Sequence, residues 1–478
     1  MGRGSRRGGS GPGRRAGGGG SAFSPAHAYG SDLLLWLRDN QGVTLSTVGE
    51  WKDQSPTGLL FAQATQVNRP AASSGAAVFD DTNDTLTAGT TPYIGATSGI
   101  TVVSRMKLDA VPGAATYRGQ YHLRQAAGTP TLDCASFFTG AAAYRPWTFW
   151  SRHLVAPCVG VADALDTNIH TRLWTEDGAG NYTARVDGVA KSVVTSGAAS
   201  PLTGDVNSVG PFTGVTPLNG TQHALVVYSS VLSAANQAAL ETLIASSAST
   251  YADFAALGTV VCCLLPGAGQ SGDVSAVADQ GPAGNNFTHA TLANQPYFDL
   301  DDSVGDLAPS LIFDGTADNL AHADIAALAG IADMTVAFSY RPDALATAAI
   351  VAQWGGADNS WKVEARVDGK LRFYTASGGA DATNFAETNA ACLTASTWGQ
   401  YCVVKRGATC EIYSAGALVA STVTGAIAAT IRDSAATVTL MTDATTYAGT
   451  RLDNIVIAKR AATVSEAAAL ARYRSRSG

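Results

Sequence analysis

Two stretches of this chain carry the same three landmarks in the same order, and a chain that repeats itself folds as a repeat. The first set is Trp51-Lys-Asp53-Gln54-Ser55-Pro56-Thr57-Gly58, then Arg69-Pro70, then Phe79-Asp80-Asp81-Thr82-Asn83-Asp84-Thr85-Leu86. The second is Asp279-Gln280-Gly281-Pro282-Ala283-Gly284, then Gln295-Pro296, then Phe313-Asp314-Gly315-Thr316-Ala317-Asp318-Asn319-Leu320. A third pair closes each copy: Ala224-Leu-Val-Val-Tyr228 ahead of Ser233 to Leu240, and Asn454-Ile-Val-Ile-Ala458 ahead of Ser465 to Leu470. The offsets are 279 − 53 = 226, 313 − 79 = 234 and 454 − 224 = 230.

With 478 residues the chain exceeds what one hydrophobic core serves, which predicts two domains of about 220 residues each. The expected division is an arm at 1–30, a first domain at 31–245, a linker at 246–257 and a second domain at 258–478. Asp outnumbers Glu 31 to 7, and Asp favours turns and caps where Glu favours helix interiors, so few helices are expected. Residues 1–20 hold Arg3, Arg6, Arg7, Arg14 and Arg15 and no acid, so the net charge of −7 becomes −7 − 5 = −12 on the remainder. This Gly/Arg/Ser arm cannot bury enough apolar surface to fold alone and is expected to be flexible. Its charge suits nucleic-acid phosphate or an acidic protein lattice, and the lack of interleaved aromatics argues against nucleic acid as partner; the competing reading is a flexible, solubilising leader. No apolar run approaches the ~18 residues of a transmembrane helix, and the start lacks the apolar core of an export signal. Seven cysteines without C-x-x-C spacing support neither a zinc ribbon nor a redox motif. They read as apolar core filling, with Cys402 and Cys410 able to face each other across a hairpin.

From Asp32 onward the signal is one of short strands broken by Gly, Asp, Asn and Pro, which predicts an all-β sandwich. The pair flanking Asp368-Gly369 predicts a hairpin with a type I′ turn, and Asp187-Gly188 repeats it in the first copy. Helices are expected only at the end of each copy: Thr463-Val-Ser-Glu466 has capping-box spacing, and Ser233 caps the earlier Ala-rich segment.

An apolar opening strand, then W-x-D-x-S-x-x-G, a Pro before F-D-G-x-x-D-x-L, and an I-V-I strand leading into a capped helix resembles laminin-G-like and concanavalin-like lectin jelly rolls. Trp398 to Val404, Cys410-Glu-Ile-Tyr413 and Gly416-Ala-Leu-Val419 are similar to that family's central hairpin and the turn after it. The resemblance spans nearly all of 31–478 in two copies and implies tandem antiparallel sandwiches, each with a short closing helix. The second copy departs from the pattern where Val277 and Ala278 stand for Trp51 and Lys52.

Chemistry is sparse. Gly267 to Gly272 matches G-x-G-x-x-G but leads into the repeated Asp279 motif rather than a helix, so it reads as a loop. The resemblance implies paired carboxylates as E-x-D-x-x-E in its glycosidases. Glu176-Asp177 and Glu364 with Asp368 come nearest, beside turns that predict exposure, so no enzyme is expected. Asp80, Asp81 and Asp84, with Asp314 and Asp318, could supply oxygen ligands to calcium, as some lectin-like sandwiches do. The competing reading has these carboxylates fixing tight turns by accepting backbone N–H bonds. Trp147, Trp150 and Trp354 could stack on sugars or pack in the core. The resulting expectation is a non-enzymatic bacteriophage virion protein, a head-decoration or tail/fibre component present in many copies. It would assemble in the host cytoplasm, dock through its basic arm on capsid or tail proteins, and touch host glycans. The alternative is a bacterial extracellular carbohydrate-binding or adhesion protein.

Overall fold

The computed structural model describes residues 33–472 apart from internal stretches, the longest being 89–98, 125–132, 140–146, 197–206, 211–217, 246–259 and 300–308. The five arginines of the arm, Arg3, Arg6, Arg7, Arg14 and Arg15, lie outside the described residues, as does Asp81.

The architecture is all-β, antiparallel throughout, and doubled as the sequence predicts. In the first repeat one sheet runs Val189–Lys191, Tyr182–Val186, Ile169–Glu176, Ile100–Leu108, Asn219–Tyr228, Ala76–Asp80 and Ala71–Ser73. The second repeat reproduces it with Ala417–Val419, Thr409–Ser414, Gly399–Arg406, Asp333–Pro342, Gly449–Ala458, Ser310–Asp314 and Tyr297–Asp299. Across each core stands a second sheet, which in the second repeat includes Leu320–His322, Val438–Leu440, Ala348–Gln353, Trp361–Ala365, Leu371–Thr375, Phe385–Thr388 and Ser421–Thr424. Phe79 and Phe313, matched in the sequence, are both buried on matched strands, one in each core.

Strands at the centre of the first sheet are buried along almost their whole length because both their faces are covered. On Ile100–Leu108, Val102 enters the core between the sheets while Val103 packs under the closing helix Ala234–Ala245, against Leu240 and Ile244. On Asp333–Pro342, Val336 and Phe338 face the core while Ala337 packs beneath the helix Val464–Leu470. Both helices begin as the sequence predicts. The Thr463 hydroxyl accepts from the Glu466 N–H, whose carboxylate accepts from the Thr463 N–H, and the Asn236 N–H donates to the Ser233 hydroxyl.

The repeats exchange their opening strands. Leu33–Leu37 of the first repeat pairs with Gly449–Ala458 of the second, and Val260–Leu264 of the second pairs with Asn219–Tyr228 of the first. Between them Val43–Leu45 and Glu50–Lys52 both pair with Gln270–Val277, so matched segments run antiparallel about an approximate two-fold axis. Thr47 and Asp273 hold equivalent positions (273 − 47 = 226) and meet at that axis, where the threonine hydroxyl donates to the carboxylate. A Cβ on Gly272 would lie 1.9 Å from the Thr47 carbonyl oxygen, so backbones this close require glycine. This is the last glycine of the Gly267 to Gly272 motif; Gln270 to Gly272 already belong to the strand Gln270–Val277 rather than to a loop, and residues 267–269 lie outside the described residues.

Two local readings are corrected. The hairpin at Asp368-Gly369 exists, but only Gly369 has positive φ, and the turn is closed by Arg366 N–H to Lys370 O (3.0 Å) and Gly369 N–H to Arg366 O (2.9 Å). That is a longer loop ending in a left-handed glycine; Asp187-Gly188, with φ of 49° and 77°, has both central residues at the positive φ of a type I′ turn. Cys402 and Cys410 do not face each other, because Cys402 is opposite Tyr413 and Cys410 opposite Lys405. The three-residue slip sends them to opposite faces, Cys402 beneath the helix Val464–Leu470 and Cys410 against the main core, both as free thiols.

Candidate functional site

The acidic motifs build matched turns. The Asp80 N–H donates to Asp84 Oδ2 at 3.0 Å and the Thr82 N–H to Asp80 Oδ1 at 2.9 Å. In the second repeat the Asp314 N–H donates to Asp318 Oδ2 at 2.9 Å, and Asp314 Oδ1 accepts from Thr316, Ala317 and Asp318. Burial opposes Asp314 ionisation, but these three backbone N–H groups outweigh it and lower its pKa. Burial pushes Asp84 up to about 6 and Asp318 up to about 7, each only partly offset by the N–H it accepts. Carboxylates spent on backbone N–H groups suit turn closure better than cation binding. Replacing Asp84 with Ala is therefore expected to lower stability by roughly 1–3 kcal/mol, through loss of the acceptor for the Asp80 N–H. Thermal melts with EDTA and with calcium should superimpose; a calcium-dependent melting temperature would restore the metal reading for Asp80, Asp81, Asp84, Asp314 and Asp318.

Asp314 and Asp318 also border a cleft of about 530 Å³ where the repeats meet. Its central group is Arg69, which donates to Gln63 O (3.0 Å), Ala64 O (3.3 Å) and Asp273 Oδ1 (2.8 Å), with its guanidinium carbon 5.0 Å from the Tyr297 ring centroid. Gln295, the counterpart of Arg69, accepts from the Ser46 hydroxyl and donates to His289 O. Gln66 donates to Leu292 O, its own counterpart across the axis (292 − 66 = 226). Polar groups this fully engaged with one another join the repeats.

A different arrangement covers the outer face of the second repeat. On three successive strands every second side chain points away from the core: Lys362 and Glu364, Arg372 and Tyr374, Phe385 and Glu387. Lys362 stands opposite Tyr374, Glu364 opposite Arg372, Tyr374 opposite Phe385 and Arg372 opposite Glu387, which makes them direct cross-strand neighbours. Lys362 Nζ donates to Glu364 and Asp443, each at 2.8 Å, and lies 4.8 Å from the Tyr374 ring and 5.1 Å from the Trp354 ring. Burial opposes its charge, but the two carboxylates outweigh burial and raise its pKa. The Tyr374 hydroxyl donates to Glu364 (3.2 Å) and accepts from Arg372 (2.9 Å), while the Arg372 guanidinium carbon lies 4.2 Å from the Phe385 ring and pairs with Glu387. Trp354, Tyr374 and Phe385 form a row with centroid separations of 5.8 and 5.1 Å.

This face corrects one expectation and develops another. Glu364 is 5% exposed and Glu176 is 3% exposed, because both lie within strands whose neighbours cover them rather than beside open turns. Asp177 and Asp368 are exposed as expected. Trp354 is half-buried in the aromatic row. Trp147 and Trp150 sit on Trp147–Ser151, on the corresponding sheet of the first repeat, and their side chains lie outside the described residues. The missed signal was alternation: Lys-x-Glu, Arg-x-Tyr and Phe-x-Glu on consecutive strands place six polar and aromatic groups on one face. Among the described residues, no cluster of three or more His, Cys, Asp or Glu is arranged to hold a metal, and no helix is long and apolar enough to cross a membrane.

No curated protein matches the chain at a significant level. Among solved structures it is similar to the binding domain of a paraclostridial mosquitocidal protein, at 15% identity over 41% of this chain and 48% of that one, with a TM-score of 0.32. The chain thus spans about half the length of that structure. It is also similar to the CBM40 domain of a Ruminococcus gnavus sialidase bound to α2,3-sialyllactose, at 12% identity over 34% and 96% of the two chains, TM-score 0.28. Domains LG4-5 of the mouse laminin α1 chain match at 13% identity over 78% and 86%, TM-score 0.26. Residues 314–468 match the family model described as the concanavalin A-like lectin/glucanases superfamily. Residues 314–468, within the second repeat, thus carry a laminin G-like domain of the concanavalin A-like lectin/glucanase superfamily.

Proposed function

We propose that this chain binds glycans without cleaving them, as a component of a bacteriophage virion, with the charged aromatic face of the second repeat as its sugar-contacting surface. The observation that carries the reading is the row Trp354, Tyr374 and Phe385 laid over Lys362, Glu364 and Arg372. Trp354 and Phe385 are half-buried and offer apolar area to the C–H side of a sugar ring, and Arg372 and Glu387 beside them meet its hydroxyls, while the buried Lys362, Glu364 and Tyr374 hold that surface in place. Glu364 is buried and locked to Lys362, Arg366 and Tyr374, which suits an anchor of this face better than a proton-exchanging catalyst. The match of residues 314–468 to a lectin/glucanase family supports the same reading. Placement on a head or tail rests on the arm of Arg3, Arg6, Arg7, Arg14 and Arg15, whose charge suits an acidic particle surface.

On a glycan array the intact chain is expected to bind weakly per site and more strongly when displayed in many copies. Trp354→Ala should cost about tenfold or more in affinity, about 1.4 kcal/mol, and no new reducing ends should form. Binding that survives both Trp354→Ala and Phe385→Ala would remove this face from the reading, and released sugar would make the protein an enzyme. If replacing the five arm arginines with Ser leaves particle occupancy unchanged, the arm is a mere leader rather than the docking element; if the parent chain itself is absent from purified particles, the virion placement fails and a bacterial adhesion role takes over.

A further inference from the structure

We infer that the two repeats are held together by a self-complementary interface of exchanged strands, so that each repeat is the partner the other's open sheet edge fits, and that this interface persists without the covalent link between them. The registers carry the argument. Leu33, Leu35, Trp36 and Leu37 stand opposite Ala458, Ile457, Val456 and Ile455. Val260, Cys262, Cys263 and Leu264 stand opposite Tyr228, Val227, Val226 and Leu225. Each residue of one ladder is the counterpart of a residue in the other (260 − 33 = 227 and 458 − 228 = 230), and the irregularity falls at the same step, after Leu33 and after Val260. Contacts in which a patch meets its own copy define an isologous two-fold interface.

Removing either opening strand would leave a run of backbone N–H and C=O groups unpaired along Leu225 to Tyr228 or Ile455 to Ala458, which are fully or nearly fully buried. Two further pairings, Val43–Leu45 and Glu50–Lys52 with Gln270–Val277, cross between the repeats, and Leu45 packs against the core of the second. The partly buried pair Arg69–Asp273, at 2.8 Å, closes the same seam. Together they form an association surface filled within one chain by its own second repeat.

The test uses the full chain with a protease site inserted between residues 250 and 251, cut under native conditions. The two fragments are expected to co-elute at the volume of the uncut chain and to separate only in denaturant; two smaller species in native buffer would overturn the inference. Cysteine pairs read the exchange itself. On oxidation, Trp36→Cys with Val456→Cys should link the two fragments covalently, and Leu33→Cys with Ala458→Cys serves as a second placement should the first variant fold poorly. Trp36→Cys with Val226→Cys, in a Cys263→Ser background, reports the opposite arrangement, in which each opening strand stays on its own repeat. A link formed only in that last chain, or in neither of the first two, overturns the exchange even if the fragments co-elute.

Discussion

Truncating Trp361 to alanine is expected to lower the unfolding free energy by about 3–5 kcal/mol, the cost of a large aromatic lost from a packed core. Trp361 is fully buried on Trp361–Ala365. Its indole N–H donates to Gln353 Oε1 at 3.1 Å, and Gln353 is itself buried and donates to Asp324 and to Ser434 O. The substitution therefore opens a cavity and strips a buried amide of one partner, two penalties that add. Trp361→Phe keeps most of the ring volume and should lose clearly less. Urea titration reads the result as a fall in midpoint at unchanged slope. A loss under about 1 kcal/mol for the alanine variant would mean that this core collapses around the site and that the ring is not its keystone.

The second large effect is a pH dependence centred on Asp318. Its ordinary pKa of 3.8 is raised to about 7 by burial, with Asp314 and Asp273 adding repulsion and the Asp314 N–H opposing the shift. A carboxyl with a raised folded-state pKa favours folding in its neutral form. Its contribution is complete below the unfolded value near 4 and is lost as pH rises through about 7. The gap between 3.8 and about 7 corresponds to about 4 kcal/mol. Asp318→Asn keeps an acceptor for the Asp314 N–H and removes the ionisation. It should be more stable than the parent at pH 8 by a few kcal/mol, with the difference closing toward pH 4. A difference that stays flat across that range would show that Asp318 is solvated well enough to ionise freely. Asp84, raised to about 6, should behave alike to a smaller extent.

Much of this was legible in the chain because repeats state their own alignment. Phe79 and Phe313, the two acidic turns and the Thr463–Glu466 box all depend on neighbours a few residues away, and local chemistry fixes them. What escaped depends on partners far along the chain. Leu33-Leu-Leu-Trp-Leu37 and Val260-Val-Cys-Cys-Leu264 are both short apolar runs, and either satisfies the same ladder, so nothing local says which sheet each joins. Asp187-Gly188 and Asp368-Gly369 are the same dipeptide in different turns, because loop length and strand twist, set by the flanking strands, choose the turn type. Glu364 looked exposed beside a turn and is buried by Lys362, Arg366 and Tyr374, all placed by cross-strand pairing. The charged aromatic face was written in the alternation of three strands, but only their pairing brings the residues together.

The meeting of Thr47 and Asp273 has a consequence for how the two halves can evolve. In an assembly of two separate identical subunits, a residue on the symmetry axis always meets itself, so any mutation there strikes twice. An aspartate would then face an aspartate, and the repulsion of two buried carboxylates would oppose assembly. A duplicated gene lifts that constraint. Here one side keeps a hydroxyl and the other a carboxylate, and the compensating charge, Arg69, is present on one side only, with Gln295 in its mirror position. Each side has since become fitted to a neighbour that its own sequence no longer encodes. The halves have lost their interchangeability, and a return to two identical separate chains would have to rebuild the axis from both sides at once.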